Sequence, residues 1–164
     1  MDKDIRDNLP TIIVIWLIGI ATCAFGLVLV RNNAASLDVG AFSWAVFLIP
    51  CVVMILAPFA ITLAAQSIGK QLYLSMLGIS VVLGIIVMVI TSGWMSDPDI
   101  AAKLMANSDP SITIIPILQA PITMLRDVAA FIVCPTIGCI AGAWVGSRLH
   151  PVVSTNKKKR KKRR

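Results

Sequence analysis

Residues 128–148 read VAAFIVCPTIGCIAGAWVGSR, and this stretch decides the fold of the chain. Gly138, Gly142 and Gly146 recur every four residues, so on an α-helix they form one face that is nearly free of side chains. Cys134 continues this face by one further turn. The remaining residues are apolar, and about 18 residues of helix span about 27 Å, close to the thickness of a bilayer core.

Three glycines in one helix favour a membrane location over a soluble one. Each glycine costs roughly 1 kcal/mol relative to alanine in a helix, so soluble helices seldom keep three. In lipid, small residues four apart let a second helix approach closely. The stretch therefore predicts a packed transmembrane helix, with a glycine stripe of the glycine-zipper type made by Gly138, Gly142 and Gly146.

Composition supports a membrane protein independently. Hydrophobic residues make up 57% of the 164 residues, charged residues make up 14%, and the mean hydropathy is +0.86. Soluble domains carry about 25% charged residues. The net charge of +7 describes only one end of the chain, because eight of the fifteen basic residues are residues 157–164.

Apolar runs divide the chain into four predicted spans at residues 9–30, 42–65, 72–94 and 128–147. The fold class is therefore predicted as an all-α membrane protein with four transmembrane helices in a bundle. A signal peptide is the alternative interpretation of the first run, residues 9–30. This run is longer than the roughly 7–15 residues of a signal-peptide core and lacks a clean A-x-A cleavage site, so a retained helix is predicted.

Helix packing is predicted at small residues of two spans. Gly19 and Cys23 give the first span the same four-residue spacing as the glycine stripe. The partner of the stripe is expected to be either this first span or a second copy of the protein. The predicted packing residues are Gly138, Gly142, Gly146, Cys134, Gly19 and Cys23.

Residues 95–127 form the one sizeable segment between spans, and they are expected to lie outside the cytoplasm. Ser96, Asp97, Pro98 and Asp99 precede IAAKLMA, which predicts a short capped helix. Residues 112–124 are apolar but contain two prolines and are too short to span the membrane alone. A buried loop, an interfacial segment, a re-entrant segment and a part of the fourth span all remain open for them.

Orientation is predicted from the positions of the lysines and arginines. With residues 1–8 and the tail, 149–164, in the cytoplasm, twelve basic residues lie inside. Three lie outside, namely Arg31, Lys103 and Arg126. The expected location is therefore the plasma (inner) membrane with both termini cytoplasmic, and residues 9–148 form the transmembrane domain.

The polybasic tail has no apolar residues with which to fold, and its like charges repel one another. Its minimal role is to set topology, and it is also expected to bind anionic lipid headgroups, each base contributing about 1 kcal/mol. Binding of the tail to RNA phosphates is the alternative to lipid binding. Lipid binding is preferred, so nucleic acid is not an expected partner. The predicted lipid-binding residues are Lys157, Lys158, Lys159, Arg160, Lys161, Lys162, Arg163 and Arg164.

Chemistry-bearing residues are sparse in the predicted membrane region. Arg126 and Asp127 at the start of the fourth span are candidate functional charges, because ionisable groups beside hydrocarbon are costly. Neighbours in a helix do not face each other, so each is expected to pair with other groups, and Arg126 is also expected to extend toward headgroups. No catalytic residue, metal ligand or cofactor is predicted, since no constellation of nucleophile and base, zinc-type spacing or phosphate loop occurs.

Two functions follow from these observations. The first is a non-enzymatic membrane subunit, a homo-oligomer or part of a larger complex, assembled through the glycine stripe and anchored to anionic membrane lipids. The second is a small transporter or pore component, indicated by Pro50 and Pro58 in the second span and by the proline-rich segment before the fourth. The first is preferred.

Overall fold

A computed structural model describes residues 3–65, 69–109 and 121–149 of the chain. Four long helices run through it: α1 (Lys3–Asn32), α2 (Val39–Ala65), α3 (Lys70–Met95) and α5 (Pro121–Leu149). A short helix, α4 (Pro98–Ala106), follows α3, and a 3-10 turn (Ala34–Ser36) joins α1 to α2. Residues 112–120 and 150–164 lie outside the described residues, whereas residues 121–124 belong to α5.

Each long helix contains a segment long and apolar enough to cross a membrane. These segments are Asn8–Asn32, Val39–Ala65, Lys70–Trp94 and Leu125–Leu149. The prediction of an all-helical protein with four membrane-spanning helices is confirmed. Each helix begins before its predicted span, α1 by six residues, α2 by three, α3 by two and α5 by seven.

The second helix, α2, is the centre of the bundle. Its span is the most buried of the four, and it makes the largest interface with α5 and the next largest with α1. The third helix, α3, packs mainly on α5. Met54 and Ile61 of α2 and Leu72 and Met76 of α3 are fully buried in the core.

Bulky apolar side chains cover the outside of the bundle, with Leu17, Phe25, Val89 and Ile140 at least 60% exposed. A soluble protein rarely exposes so continuous an apolar surface. In a bilayer these side chains meet acyl chains instead. The exposed surface therefore agrees with the hydropathy of the spans.

Helix α4 covers one end of the bundle, here called the α4 end. Ile100 and Leu104 pack against Ala34 of the turn between α1 and α2 and against Val39 and Phe42 at the start of α2. The Asp97 side chain caps the helix by accepting a hydrogen bond of 3.0 Å from the Asp99 backbone N–H. The predicted capped helix is therefore present, and its apolar face attaches the segment after α3 to the start of α2.

Candidate functional site

The glycines of α5 lie against the backbone of α2. A β-carbon on Gly138 would overlap the Ile55 carbonyl oxygen, and one on Gly142 would overlap both the Phe59 carbonyl oxygen and the Thr62 hydroxyl. Gly146 is buried as well. The partner of the stripe is thus α2 of the same chain, rather than the first span or a second copy.

The small residues of α1 also face α2. A β-carbon on Gly19 would come within 3.0 Å of Val53, and one on Gly26 within 3.1 Å of Ile49. Cys23, between them on the same face, is buried. Two helices therefore use small residues to approach α2 from different sides.

Both α2 and α5 contain buried prolines. Pro58 of α2 and Pro135 of α5 are fully buried, and Pro50 of α2 is buried. Each proline removes one helical N–H donor, which leaves the carbonyl oxygen four residues earlier without its usual partner. The Thr62 hydroxyl donates instead to two later carbonyls of its own helix, those of Pro58 at 2.7 Å and Phe59 at 3.2 Å. The Phe59 carbonyl that faces Gly142 is one of these acceptors.

Arg126 and Asp127 form an ionic and aromatic cluster at the start of α5. Both Nε and Nη2 of Arg126 lie 2.8 Å from Oδ1 of Asp127. The same guanidinium lies over the Phe47 ring at 4.2 Å and the Trp44 ring at 5.4 Å from the ring centroids. The cluster therefore attaches the start of α5 to the first turns of α2.

This geometry corrects the prediction that Arg126 and Asp127 do not pair with each other. The rule that adjacent helix positions diverge describes the directions of their Cα–Cβ bonds. The arginine side chain is long enough to fold back, so its guanidinium reaches the neighbouring carboxylate while it stacks on α2. The two side chains are 30% and 23% exposed, which places the pair at an edge of the bundle rather than in its core.

A few polar groups inside the bundle were not singled out by sequence reasoning. Tyr73 of α3 and Thr136 of α5 share a hydrogen bond of 3.0 Å between their hydroxyls, and the Trp16 indole N–H donates to the Met76 sulfur at 3.4 Å. Ser80 of α3 is fully buried, and its hydroxyl has no hydrogen-bond partner among the residues that the structure describes. Of these residues, Ser80 alone belongs to a sequence pattern that indicates helix packing, because Gly84 follows it by four residues. In the structure Gly84 packs on the Phe131 ring.

Asp97 connects α4 to the end of α1. Asp97 caps α4 and also lies 3.8 Å from Arg31, whose guanidinium lies over the Trp94 ring. Within the described ranges, no three histidine, cysteine, aspartate or glutamate side chains are grouped to hold a metal ion. His150 and residues 157–164 lie outside those ranges.

Comparisons with protein-family models, with curated protein sequences and with solved structures find no match to this chain. The arrangement defines a class: an integral membrane bundle built around a proline-containing central helix.

Proposed function

We propose that the protein is a non-enzymatic subunit of a membrane complex, anchored at the membrane surface by its polybasic tail. The observation that carries this proposal is a difference among its glycines. Gly19, Gly26, Gly84, Gly138 and Gly142 meet atoms of neighbouring helices, whereas Gly78 of α3 has open space within 4 Å.

Gly78 belongs to a surface that faces away from the bundle. The outward face of α3 consists of exposed residues spaced three or four apart: Ser75, Gly78, Val82, Ile85 and Val89. This spacing is that of a helix–helix contact, and a glycine there allows close approach of a second helix in lipid. Because the α5 stripe is occupied by α2, the outward face of α3 is the assembly surface that we favour over the stripe.

The proposed contact is tested by replacing Gly78 with leucine. Gly78→Leu should abolish a larger assembly while the chain keeps its fold, since Gly78 is exposed and a β-carbon there has no described atom within 4 Å. Ala24→Leu is the matched control, because Ala24 is an exposed small residue of α1. Light scattering in mild detergent measures the size, and circular dichroism measures the fold. An unchanged assembly in Gly78→Leu would refute a contact through this face.

The proposed anchoring rests on charge alone. Eight adjacent bases near a membrane helix attract anionic headgroups, and this attraction is screened as the Debye length falls from about 10 Å at 0.1 M salt to about 3 Å at 1 M. A peptide of residues 157–164 should bind anionic vesicles and dissociate as salt rises. Binding to neutral vesicles, or binding that does not change with salt concentration, would contradict the proposal.

A second candidate function, a small transporter or pore component, is supported by Ser80. A buried hydroxyl without a partner is costly, and buried prolines in two helices are typical of membrane transport sites. Vesicles containing the protein should then admit glycerol, which is measured as osmotic swelling. Ser80→Ala should change the rate of glycerol entry while the protein keeps its fold. Equal swelling of empty vesicles would exclude glycerol transport.

A further inference from the structure

The pairing of residues between α2 and α5 follows a regular register. Ile55 faces Gly138, and Phe59 faces Gly142, so both helices advance by four residues from one contact to the next. The two helices therefore run parallel. Cys51 precedes Ile55 by four residues, and Cys134 precedes Gly138 by four residues, so the register places the two cysteines opposite each other.

The side chains follow this register. The Cys51 and Cys134 thiols lie close enough to interact with each other. Both cysteines are free thiols; Cys51 is buried and Cys134 is half-buried. The other two cysteines, Cys23 and Cys139, are buried elsewhere in the core.

A disulfide between two helices needs residues that face each other directly. The Cα atoms of a disulfide lie about 4.4–6.8 Å apart. Packed helix axes lie about 8–10 Å apart and Cα atoms lie about 2.3 Å from each axis, so only facing residues come this close. One turn from Cys134, a β-carbon on Gly138 would overlap the Ile55 carbonyl oxygen, so the two backbones are in close contact there. The register and this close contact together favour a disulfide between Cys51 and Cys134.

We propose that Cys51 and Cys134 are a dithiol pair that forms a reversible disulfide between α2 and α5. Two S–H bonds break and one S–S bond forms, and two electrons and two protons pass to an oxidant. The oxidant is an apolar two-electron acceptor, because Val133 and Ile137, which flank Cys134 in sequence, are about half exposed on the lipid-facing surface. The disulfide joins the central helix to α5 covalently.

Molecular iodine tests the proposal, because it is apolar and converts two thiols to a disulfide while forming two HI. The full-length protein in membranes is treated, denatured and alkylated, and its free thiols are counted by mass spectrometry. The count should fall from four to two, with a peptide linked through Cys51 and Cys134. A count that stays at four, a link through Cys23 or Cys139, or a link between two chains would overturn the proposal.

Variants distinguish the pair from general thiol oxidation. Cys51→Ser and Cys134→Ser should each keep all three remaining thiols after iodine, whereas Cys139→Ser should fall from three to one. Oxidised wild-type protein should also unfold at a higher detergent fraction than reduced protein, because a cross-link restricts the unfolded chain. Cys134→Ser should show no such shift, and an equal shift in this variant would contradict the proposed cross-link.

Discussion

Gly142 of α5 lies so close to Phe59 of α2 that a β-carbon on the glycine would overlap the phenylalanine carbonyl oxygen. The α-hydrogen of Gly142 occupies the direction in which that β-carbon would point. The same relationship joins Gly138 to the Ile55 carbonyl one turn away. Such Cα–H···O contacts recur where membrane helices approach closely. Close packing of α5 on α2 therefore depends on the missing side chains.

Gly142→Ala is predicted to destabilise the bundle. Even one added methyl group must displace backbone atoms of α2, and overpacking of this kind typically costs about 1–3 kcal/mol. The better helix propensity of alanine acts in the opposite direction by roughly 1 kcal/mol. The net change in the free energy of unfolding is measured on the detergent-dispersed monomer, by circular dichroism as denaturing detergent is added.

The matched control is Gly78→Ala in the same monomer. A β-carbon at Gly78 meets nothing within 4 Å, so only the gain in helix propensity remains and stability should rise. The two substitutions are chemically identical, and their effects should have opposite signs. If Gly142→Ala were stabilising to the same degree as Gly78→Ala, the packing of the stripe on α2 would be refuted.

The spans and the packing face of α5 were predictable because both are local patterns. Runs of apolar residues report span length, and glycines four apart report a helix face. The partner of that face was not predictable, because α2 shows no complementary stripe. It presents the backbone carbonyls of Ile55 and Phe59, and every residue has a carbonyl. The pairing of α2 with α5 is a property of the whole bundle.

The ionic cluster shows a second limit of local rules. Helix geometry predicts that Arg126 and Asp127 diverge, and this holds for their β-carbons. The position of the guanidinium is instead decided by the Phe47 and Trp44 rings, which lie far from it in sequence. Sequence spacing therefore identified the charged residues but not their contacts.

Arg126 and Phe47 are predicted to be energetically coupled. Arg126→Lys keeps the charge but loses the planar group that stacks on the ring, and Phe47→Leu keeps an apolar side chain but loses the ring. A double-mutant cycle should give a coupling of about 0.5–1 kcal/mol, the usual size of a cation–π contact at a partly exposed site. Additive effects of the two substitutions would show that the stacking contributes nothing to stability.

Leu104→Ala is predicted to release α4 from the end of the bundle. Leu104 is fully buried against the turn between α1 and α2, and such truncations cost about 2–5 kcal/mol. Hydrogen exchange should quicken in residues 98–106 and much less in α2 and α5. The neighbouring Met105 is 54% exposed, so Met105→Ala should leave exchange unchanged. Equal exchange in the two variants would contradict the packing role of Leu104.

The α4 end is predicted to face away from the cytoplasm. Ala106→Cys is a suitable reporter, because Ala106 is exposed. Ser108 is less suitable, since its hydroxyl accepts a hydrogen bond from the Val39 N–H and donates one to the Leu104 carbonyl. An impermeant maleimide should label Ala106→Cys in intact cells, and Ser154→Cys only after permeabilisation. The reverse labelling pattern would invert the topology.

The polybasic tail is predicted to decide this orientation. Twelve basic residues lie on the predicted cytoplasmic side, but eight of them are residues 157–164, and without those the balance is four against three. So small a difference gives little orientational preference. Removing residues 157–164 from the Ala106→Cys protein should therefore produce mixed orientations, seen as a fall in the fraction labelled in intact cells.

Two substituted tails separate the effect of charge from that of length. Replacing the same residues with eight serines should also produce mixed orientations, because this variant loses the charge but keeps the length. Replacing all eight with lysine should preserve full labelling. Full labelling of the truncated and serine-substituted chains would show instead that the body of the protein sets its own orientation.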